Sequence, residues 1–400
     1  MEAVETLMIG GGQAGLTMSH ALTKRGRPHL VLERGRVAER WRSERWDGLH
    51  FQTPNALVRL PDFPFVSDNP DGYATGAEIA SYLAAYAAFI RAPIRCGVSV
   101  TALRRGFVAE TSAGEFRADN VVVATGPFQR PIIPPLLPRT PGISQLHARD
   151  YRTPAALPEG AVLVVGAGAS GAQIADELLR AGKKVFFSVG KHKRAPRRYR
   201  GQDHVWWWIE TGMDRTPPEK RPADRSPIVH TGAYGGYTMD FRDFARQGMV
   251  LLGRAEAAVD GVMHFAPDLL ENVAHGDIGY LRFMDFVDAH IAATGGSFPE
   301  DPDARVLSPT PEWLAKPIRS LDLRAEGIGT VIWATGYGMD FGWVDLPVLD
   351  ASGMPMHRLG VTAVPGLYFL GLPFLSKLSS VFLFGVGDDA ERLAGQQFSV

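Results

Sequence analysis

The 400-residue chain has one cysteine, Cys96, so it can build no intramolecular disulfide, no CxxC redox pair and no cysteine-ligated metal cluster. A reducing compartment is therefore expected, and the cytoplasm is the expected location. An excess of either charge is lacking too, since 42 Lys and Arg face 43 Asp and Glu. With no net field, neither nucleic acid nor an anionic membrane is an expected partner. The opening MEAVETLMIG has neither a basic start nor a long apolar core, so no signal peptide is expected. The most apolar stretch, 361–387, is interrupted by two prolines, four glycines and Lys377, and reads as buried strand and turn rather than a membrane span. HExxH and EF-hand patterns are missing, so no metal site is expected.

What the chain does have is glycine, 44 residues of 400, against roughly 7% in average usage. Short apolar runs ending in glycine or a polar residue recur at 7–10, 30–33, 120–126, 161–166, 184–189, 249–253, 330–336 and 366–371. Their β-branched and aromatic content predicts strands buried on both faces, as in a parallel sheet. Segments 14–25, 75–91 and 171–181 carry helical spacing. Strand, turn, helix and strand occur twice, which predicts two α/β units. Proline-rich joints at 127–142 and 153–158 precede the second unit, and polar or irregular insertions occur later at 214–227 and 298–317.

Each unit opens on a glycine turn. The first is Gly10-x-Gly12-x-x-Gly15 after TLMIG, with Gln13 and Ala14 starting the helix and Glu33 ending the next strand. The first glycine permits the tight turn, the second lets backbone approach a pyrophosphate, and the third allows close helix–strand packing. The helix N-terminus offers free N–H groups and partial positive charge to the phosphates, and Glu33 is placed to accept from a ribose diol. The second turn is Gly166-x-Gly168-x-x-Gly171. After its next strand comes KHKRAPRRYRG, basic where the first unit has an acid. A basic cluster attracts a 2′-phosphate that a carboxylate would repel, so NADPH is expected there, with NADH the alternative. Two further runs, VVVATGP at 121–127 and VIWATGY at 331–337, end strands in Ala-Thr-Gly, small enough to pass close to a cofactor or to change domains.

Over nearly its whole length the chain resembles the class B flavin-dependent monooxygenases, including bacterial flavin-containing monooxygenases and the plant YUCCA-type indole-pyruvate enzymes. The resemblance rests on GGGQAG (10–15), LERGRVAERWRSERWDGLHFQTP (32–54), LPDFPF (60–65), LHARDYR (146–152), VVGAGASGAQIADEL (164–178), PRRYRG (196–201), ATGY (334–337) and GLYFLG (366–371). The family signature F-x-G-x-x-x-H-x-x-x-(F/Y)-(K/R) keeps its second half as His147, Tyr151 and Arg152, while Pro141 and Ile143 replace the aromatic and the glycine. Tyr151-Arg152 speaks against the Baeyer–Villiger branch, whose signature ends in Trp. His147 is read as a linker residue, not a catalytic base.

The resemblance implies two Rossmann-like dinucleotide-binding domains in an α/β fold. A discontinuous FAD domain (1–155 and 325–400) would receive an inserted NADPH domain (156–324). FAD would sit on Gly10, Gly12, Gln13, Ala14, Gly15, Glu33 and Arg34, with Trp41, Trp46, His50, Gln52, Thr53, Ala124 and Gly126 around it. NADPH would sit on Gly166, Gly168, Ser170, Gly171, Ser188, Lys191, His192 and Arg194. Gln52 takes the place of an Asn near the flavin and is the candidate catalytic residue, its carboxamide being a donor. The implied reaction passes hydride from NADPH to flavin and one oxygen atom of O2, by way of a flavin C4a-(hydro)peroxide, to a small organic substrate such as a sulfide, an amine or an α-keto acid. A reductase or NAD(P)H oxidase that inserts no oxygen is a second reading, and a nucleotide-binding redox sensor a third. A homodimer is left open as the assembly. Substrate-shaping segments are expected around 201–245 and 340–360.

Overall fold

The computed structural model describes residues 1–396. Its first sheet begins with β1 (Glu2–Ile9), which leads through α1 (Gln13–Thr23) to β2 (His29–Glu33). Helix α2 (Gly76–Phe89) starts at a capping box, in which Thr75 and Glu78 satisfy each other's backbone N–H groups, and ends before β3 (Ile94–Cys96). The antiparallel strands β4 (Val100–Arg104) and β5 (Val108–Thr111) feed β6 (Gly114–Val123). Across the sheet the order is β3-β2-β1-β6-β5-β4, so the glycine-turn strand β1 lies inside its sheet, where its continuous apolar run is buried on both faces.

The second sheet holds β7 (Ser144–His147), β8 (Ala161–Val165), β9 (Val185–Ser188), β10 (Val250–Leu252) and β11 (Ile328–Trp333), with α3 (Ala169–Arg180) joining β8 to β9. Its order is β7-β11-β8-β9-β10, and every pairing is parallel. Along β8, Val162 and Val164 pack into one apolar cluster with Leu178 and Phe187, while Leu163 and Val165 pack into another with Phe186 and Trp333. Helices α4 (His204–Glu210) and α5 (Leu269–Thr294) pack together through Trp207, Trp208, Tyr280 and Phe283. The chain then returns to the first sheet as β12 (Leu367–Phe369), which pairs with the C-terminal half of β6 and leads on to α6 (Val386–Gln396).

One expectation shifts here. Strands β7 and β11 lie outside the span 156–324 anticipated for the second unit, yet both belong to its sheet. The crossings therefore fall after β6 and after β11, each at an Ala-Thr-Gly run. Segment 340–360 belongs to the first unit. Leu103 on the edge strand β4 bonds Trp343 and Asp345, and Phe341, Val344 and Val348 fill the first core. No helix among the described residues is long and apolar enough to cross a membrane, and 361–387 contains β12 and turns.

Candidate active site

The two glycine turns are built alike. Gly10 and Gly166 both have φ +112°, and a Cβ there would come within 2.7 Å of the Ala124 carbonyl oxygen and 2.5 Å of the Ala334 carbonyl oxygen. Each turn thus faces one of the Ala-Thr-Gly runs, held by Ala124 N–H to Ile9 O (2.9 Å) and Ala334 N–H to Val165 O (2.8 Å). A Cβ on Gly15 would lie 1.9 Å from Gly10 O, and one on Gly171 would lie 1.8 Å from Gly166 O. Only glycine lets each helix approach its strand so closely. By contrast, a Cβ on Gly12 would meet nothing within 4 Å, and on Gly168 it would meet only Pro227, at 3.6 Å. Neither Gly12 nor Gly168, as the residue capping α1 or α3, is joined to its helix by a side-chain hydrogen bond. Open space beside uncapped N–H groups fits a pyrophosphate at both turns.

The rims of the two turns differ. The pairings Ile9 with Leu32 and Val165 with Ser188 put Val189 where the first unit has Glu33. Glu33 accepts from the N–H groups of Gly11 (2.8 Å) and Gly35 (2.9 Å), which holds its carboxylate on the rim of the first turn. Val189 is fully buried, so the second turn has no acid at that position. Ser188 is turned inward as well: its hydroxyl donates to Gly253 O at 2.9 Å and accepts from Ala255 N–H at 3.1 Å. Ser170 stands half-buried in the first turn of α3.

The basic loop is mostly matched by acids. Arg194 is buried against Asp240, with Asp277 at 3.6 Å, and Arg242 bonds both acids. His192 is buried too, and desolvation lowers it to about 4, so it is a neutral ring packed on Phe241 and beside Gly276. Both were expected at the coenzyme phosphate, and both are interior groups instead. Lys191 is exposed and pairs with the exposed Glu271 at 3.3 Å.

Around the first turn, Gln13 donates to Val381 O at 2.5 Å, and Ala14 lies against Gly371, where a Cβ would come within 2.7 Å. The segment after β12 thus lies over the start of α1. Gly126 is open, with nothing within 4 Å of a Cβ, and Arg34 is an exposed group 3.5 Å from Glu44. Trp41 packs edge-on to Phe51 and touches both cores, whereas Trp46 is buried with Leu49 in the core of the second unit. Trp46 therefore helps lock loop 39–55 to the neighbouring unit. His50 lies 3.1 Å from Gly48 O, and Thr53 is buried.

Gln52 is held by a residue that the sequence placed in the basic loop. Arg197, buried, donates to Gln52 O at 3.1 Å and to Asp203 at 2.6 Å, and lies 5.0 Å from the Tyr73 ring centre. Tyr73 closes the set by donating to Asp203 at 2.6 Å, and burial pushes its phenol up to about 12. Gly232 packs so tightly on this loop that a Cβ would lie 2.1 Å from Phe51 O. Asp203, six positions after Arg197, was the one signal in the sequence for this clamp.

His147 is the linker residue its motif suggests. It is buried: Arg149 N–H donates to Nδ1 at 3.1 Å, so Nε2 carries the proton and donates to Gly336 O at 3.0 Å, tying both crossings together. Pro141 and Ile143 flank Gly142, which takes φ +83°, so the turn keeps a glycine one position earlier than in the signature. Tyr151 donates to Glu177 on α3 at 3.0 Å, and Arg152 donates to the carbonyls of Ser43, Arg45 and Arg149. Burial raises Glu177 above the usual carboxylate range. A raised acid costs stability when ionised, so Glu177→Gln, which still accepts from Tyr151, is expected to melt higher at pH 8. The gain should disappear below about pH 4.5, and thermal melts of the two proteins at both pH values check it.

Comparison with known proteins agrees with this construction. Residues 7–220 match the family model described as pyridine nucleotide-disulphide oxidoreductase. An uncharacterized CzcO-like oxidoreductase of Geobacillus kaustophilus is 34% identical over 397 residues, covering 98% of this chain and 97% of the relative. The probable indole-3-pyruvate monooxygenase YUCCA1 of Arabidopsis thaliana is 33% identical over 187 residues, 44% of each chain. In structure, the flavin-containing monooxygenase of Stenotrophomonas maltophilia shares the fold with a TM-score of 0.66 at 19% identity, over 99% of this chain and 98% of that one. The chain belongs to the pyridine nucleotide-disulphide oxidoreductase family.

Proposed function

We propose that the protein is an NADPH-dependent monooxygenase that transfers one atom of O2 to a sulfide, an amine or an α-keto acid. The observation that carries this reading is the doubled turn: a carboxylate on one rim and Val189 on the other, in a chain whose sole cysteine lies exposed on the edge strand β3. Two nucleotides pass electrons between them, and no internal dithiol stands ready to receive those electrons. When bound, FAD accepts hydride from NADPH and gives its electrons to O2.

The protein's part is to bind and orient. The N–H groups at the start of α1 and α3 take the two pyrophosphates, Glu33 takes a ribose, and exposed Lys191, two residues after Val189, is the cation offered to a 2′-phosphate. The clamp of Arg197, Asp203 and Tyr73 fixes the Gln52 backbone, which sets where the Gln52 carboxamide donates. By stoichiometry, NADPH, a proton, O2 and a sulfide or amine become NADP+, water and the oxygenated product, and an α-keto acid in their place becomes the shortened carboxylic acid with its carboxylate leaving as CO2.

The test is turnover of the holoenzyme with NADPH under isotopically labelled oxygen, with thioanisole, a tertiary amine and phenylpyruvate as substrates. Label in one product, with H2O2 well below NADPH consumed, is the expected result. Stoichiometric H2O2 with every substrate would make the protein an oxidase, and failure of NADPH to bleach the flavin would make it a sensor.

A further inference from the structure

The two crossings run side by side: Tyr337 pairs with Pro131 and Gly338 with Arg130, and Ile132 N–H donates to Gly336 O at 3.0 Å. One cation stands where they meet. Arg45 comes from loop 39–55, and its guanidinium carbon lies 5.6 Å from the Trp41 ring centre and 5.5 Å from that of Phe128. Phe128 follows the first Ala-Thr-Gly run and is 5.4 Å from Tyr337, which follows the second. Because Ala124 and Ala334 face the two glycine turns, Arg45 is placed between the two units, at a boundary of the kind that small-molecule sites favour.

Arg45 lacks the partner that a guanidinium in such a place needs. Among the described residues it donates to Glu44 O at 2.9 Å and lies beside the Tyr337 phenol, with no carboxylate within 4 Å. The neighbouring acid, buried Glu44, is engaged elsewhere: Arg40 meets it at 3.0 Å, and Arg34 and Arg149 each at 3.5 Å. Crowding strips water from the Arg45 guanidinium and lowers it from its ordinary value, yet an arginine stays charged. A desolvated cation among neutral groups is an uncompensated charge, which an anion would balance. There is room for one. Arg45 is partly exposed, Phe128 is 48% exposed, and a Cβ on Gly126 or Gly336 would meet nothing within 4 Å.

The missing partner defines the ligand. Aromatic rings engage the face of a guanidinium, and its edge of N–H donors is what grips a carboxylate or phosphate, often through two parallel bonds. A protonated amine would be repelled here, and a sulfide offers nothing to the charge. We infer that Arg45 binds an oxyanion where the two crossings meet, and that through it the site takes an α-keto acid by its carboxylate. The choice of the α-keto acid rests on the proposed function, whereas the oxyanion site does not depend on oxygen insertion. A coenzyme phosphate is the other source of the same chemistry, because the coenzyme on the second turn reaches toward the same boundary.

Phenylpyruvate is the probe, with its methyl ester as the uncharged control. Each is titrated by calorimetry into the oxidised, FAD-loaded enzyme without NADPH, and NADP+ is titrated in a parallel series. The acid should bind about tenfold more tightly than the ester. Arg45→Gln should lose about tenfold in affinity for the acid and little for the ester or NADP+, while it keeps its flavin and melts no lower than wild type, because an unmatched charge has been removed. Should Arg45→Gln fail to fold, Arg45→Lys, which keeps the charge but not the fork, should lose several-fold for the acid alone. A variant that weakens NADP+ and leaves the acid untouched would assign the oxyanion to the coenzyme phosphate and overturn the carboxylate half, as would acid and ester binding alike. A variant that binds both the acid and NADP+ as wild type does would overturn the site. An enzyme that oxygenates thioanisole while Arg45→Gln changes no affinity would keep the monooxygenase reading and defeat this one, and an enzyme that releases only H2O2 but loses phenylpyruvate with Arg45 would do the opposite.

Discussion

Gly12→Ala is expected to give a colourless protein whose apo form unfolds within about 1 kcal/mol of the wild-type apo form. The two halves of that result have separate causes. In the fold itself a Cβ on Gly12 touches nothing within 4 Å, and its φ of −81° suits alanine, so nothing has to move. The space it fills is the space a pyrophosphate needs beside the first N–H groups of α1, and losing that contact removes the main anchor of FAD. Gly15→Ala should behave differently. Its Cβ would fall 1.9 Å from the Gly10 carbonyl, a backbone atom, so α1 must back away from β1 and the apo protein itself should lose about 3 kcal/mol or more. Flavin absorbance per protein and urea unfolding of the apo forms separate the two. A yellow Gly12→Ala holoenzyme would show that FAD does not sit on this turn. At the second turn the same contrast is expected between Gly168→Ala, which should weaken NADPH reduction with FAD retained, and Gly171→Ala, whose Cβ would lie 1.8 Å from Gly166 O.

These turns were legible in the sequence because their geometry admits almost one residue type. A carbonyl within 2 Å of a would-be Cβ leaves only glycine, and a strand before and a helix after supply the context. The two Ala-Thr-Gly runs were legible as small residues at strand ends, but their position opposite the glycine turns is a matter of register between β1 and β6 and between β8 and β11. Register in a parallel sheet is set by pairing between strands far apart in the chain, which is also why β7 and β11 were left outside the second unit. Trp46 read equally well as a flavin contact or as core, because an aromatic buried beside either looks the same in one dimension. The buried pair His204 and His230 carries no spacing at all; it exists only once α4 and the segment after Pro227 are brought together.

The basic loop shows the limit most sharply, and Arg194 tests it. Seven Lys, Arg and His residues between 191 and 200 read as a phosphate cluster because their partners are out of sight, far along the chain. In the fold, Arg194 meets Asp240 and Asp277, Lys193 meets Asp224 and Arg200 meets Asp288. Arg194→Ala removes one cation from a buried set in which Arg194 and Arg242 balance Asp240 and Asp277, leaving one carboxylate uncompensated. Breaking a buried pair in this way costs about 3–5 kcal/mol, and the loss of stacking on Tyr280, 4.0 Å from the guanidinium, adds to it. Urea unfolding should therefore record a large loss of stability. Folded Arg194→Ala, assayed at low temperature, should keep the wild-type ratio of NADPH to NADH use. Lys191→Ala should do the reverse: unchanged stability, because its exposed pair with Glu271 contributes little, and a shift of several-fold toward NADH if Lys191 meets the 2′-phosphate. Were Arg194→Ala instead to fold normally and lose its preference for NADPH, the guanidinium would have to leave Asp240 for the coenzyme, and the loop would be the phosphate cluster its charges suggested.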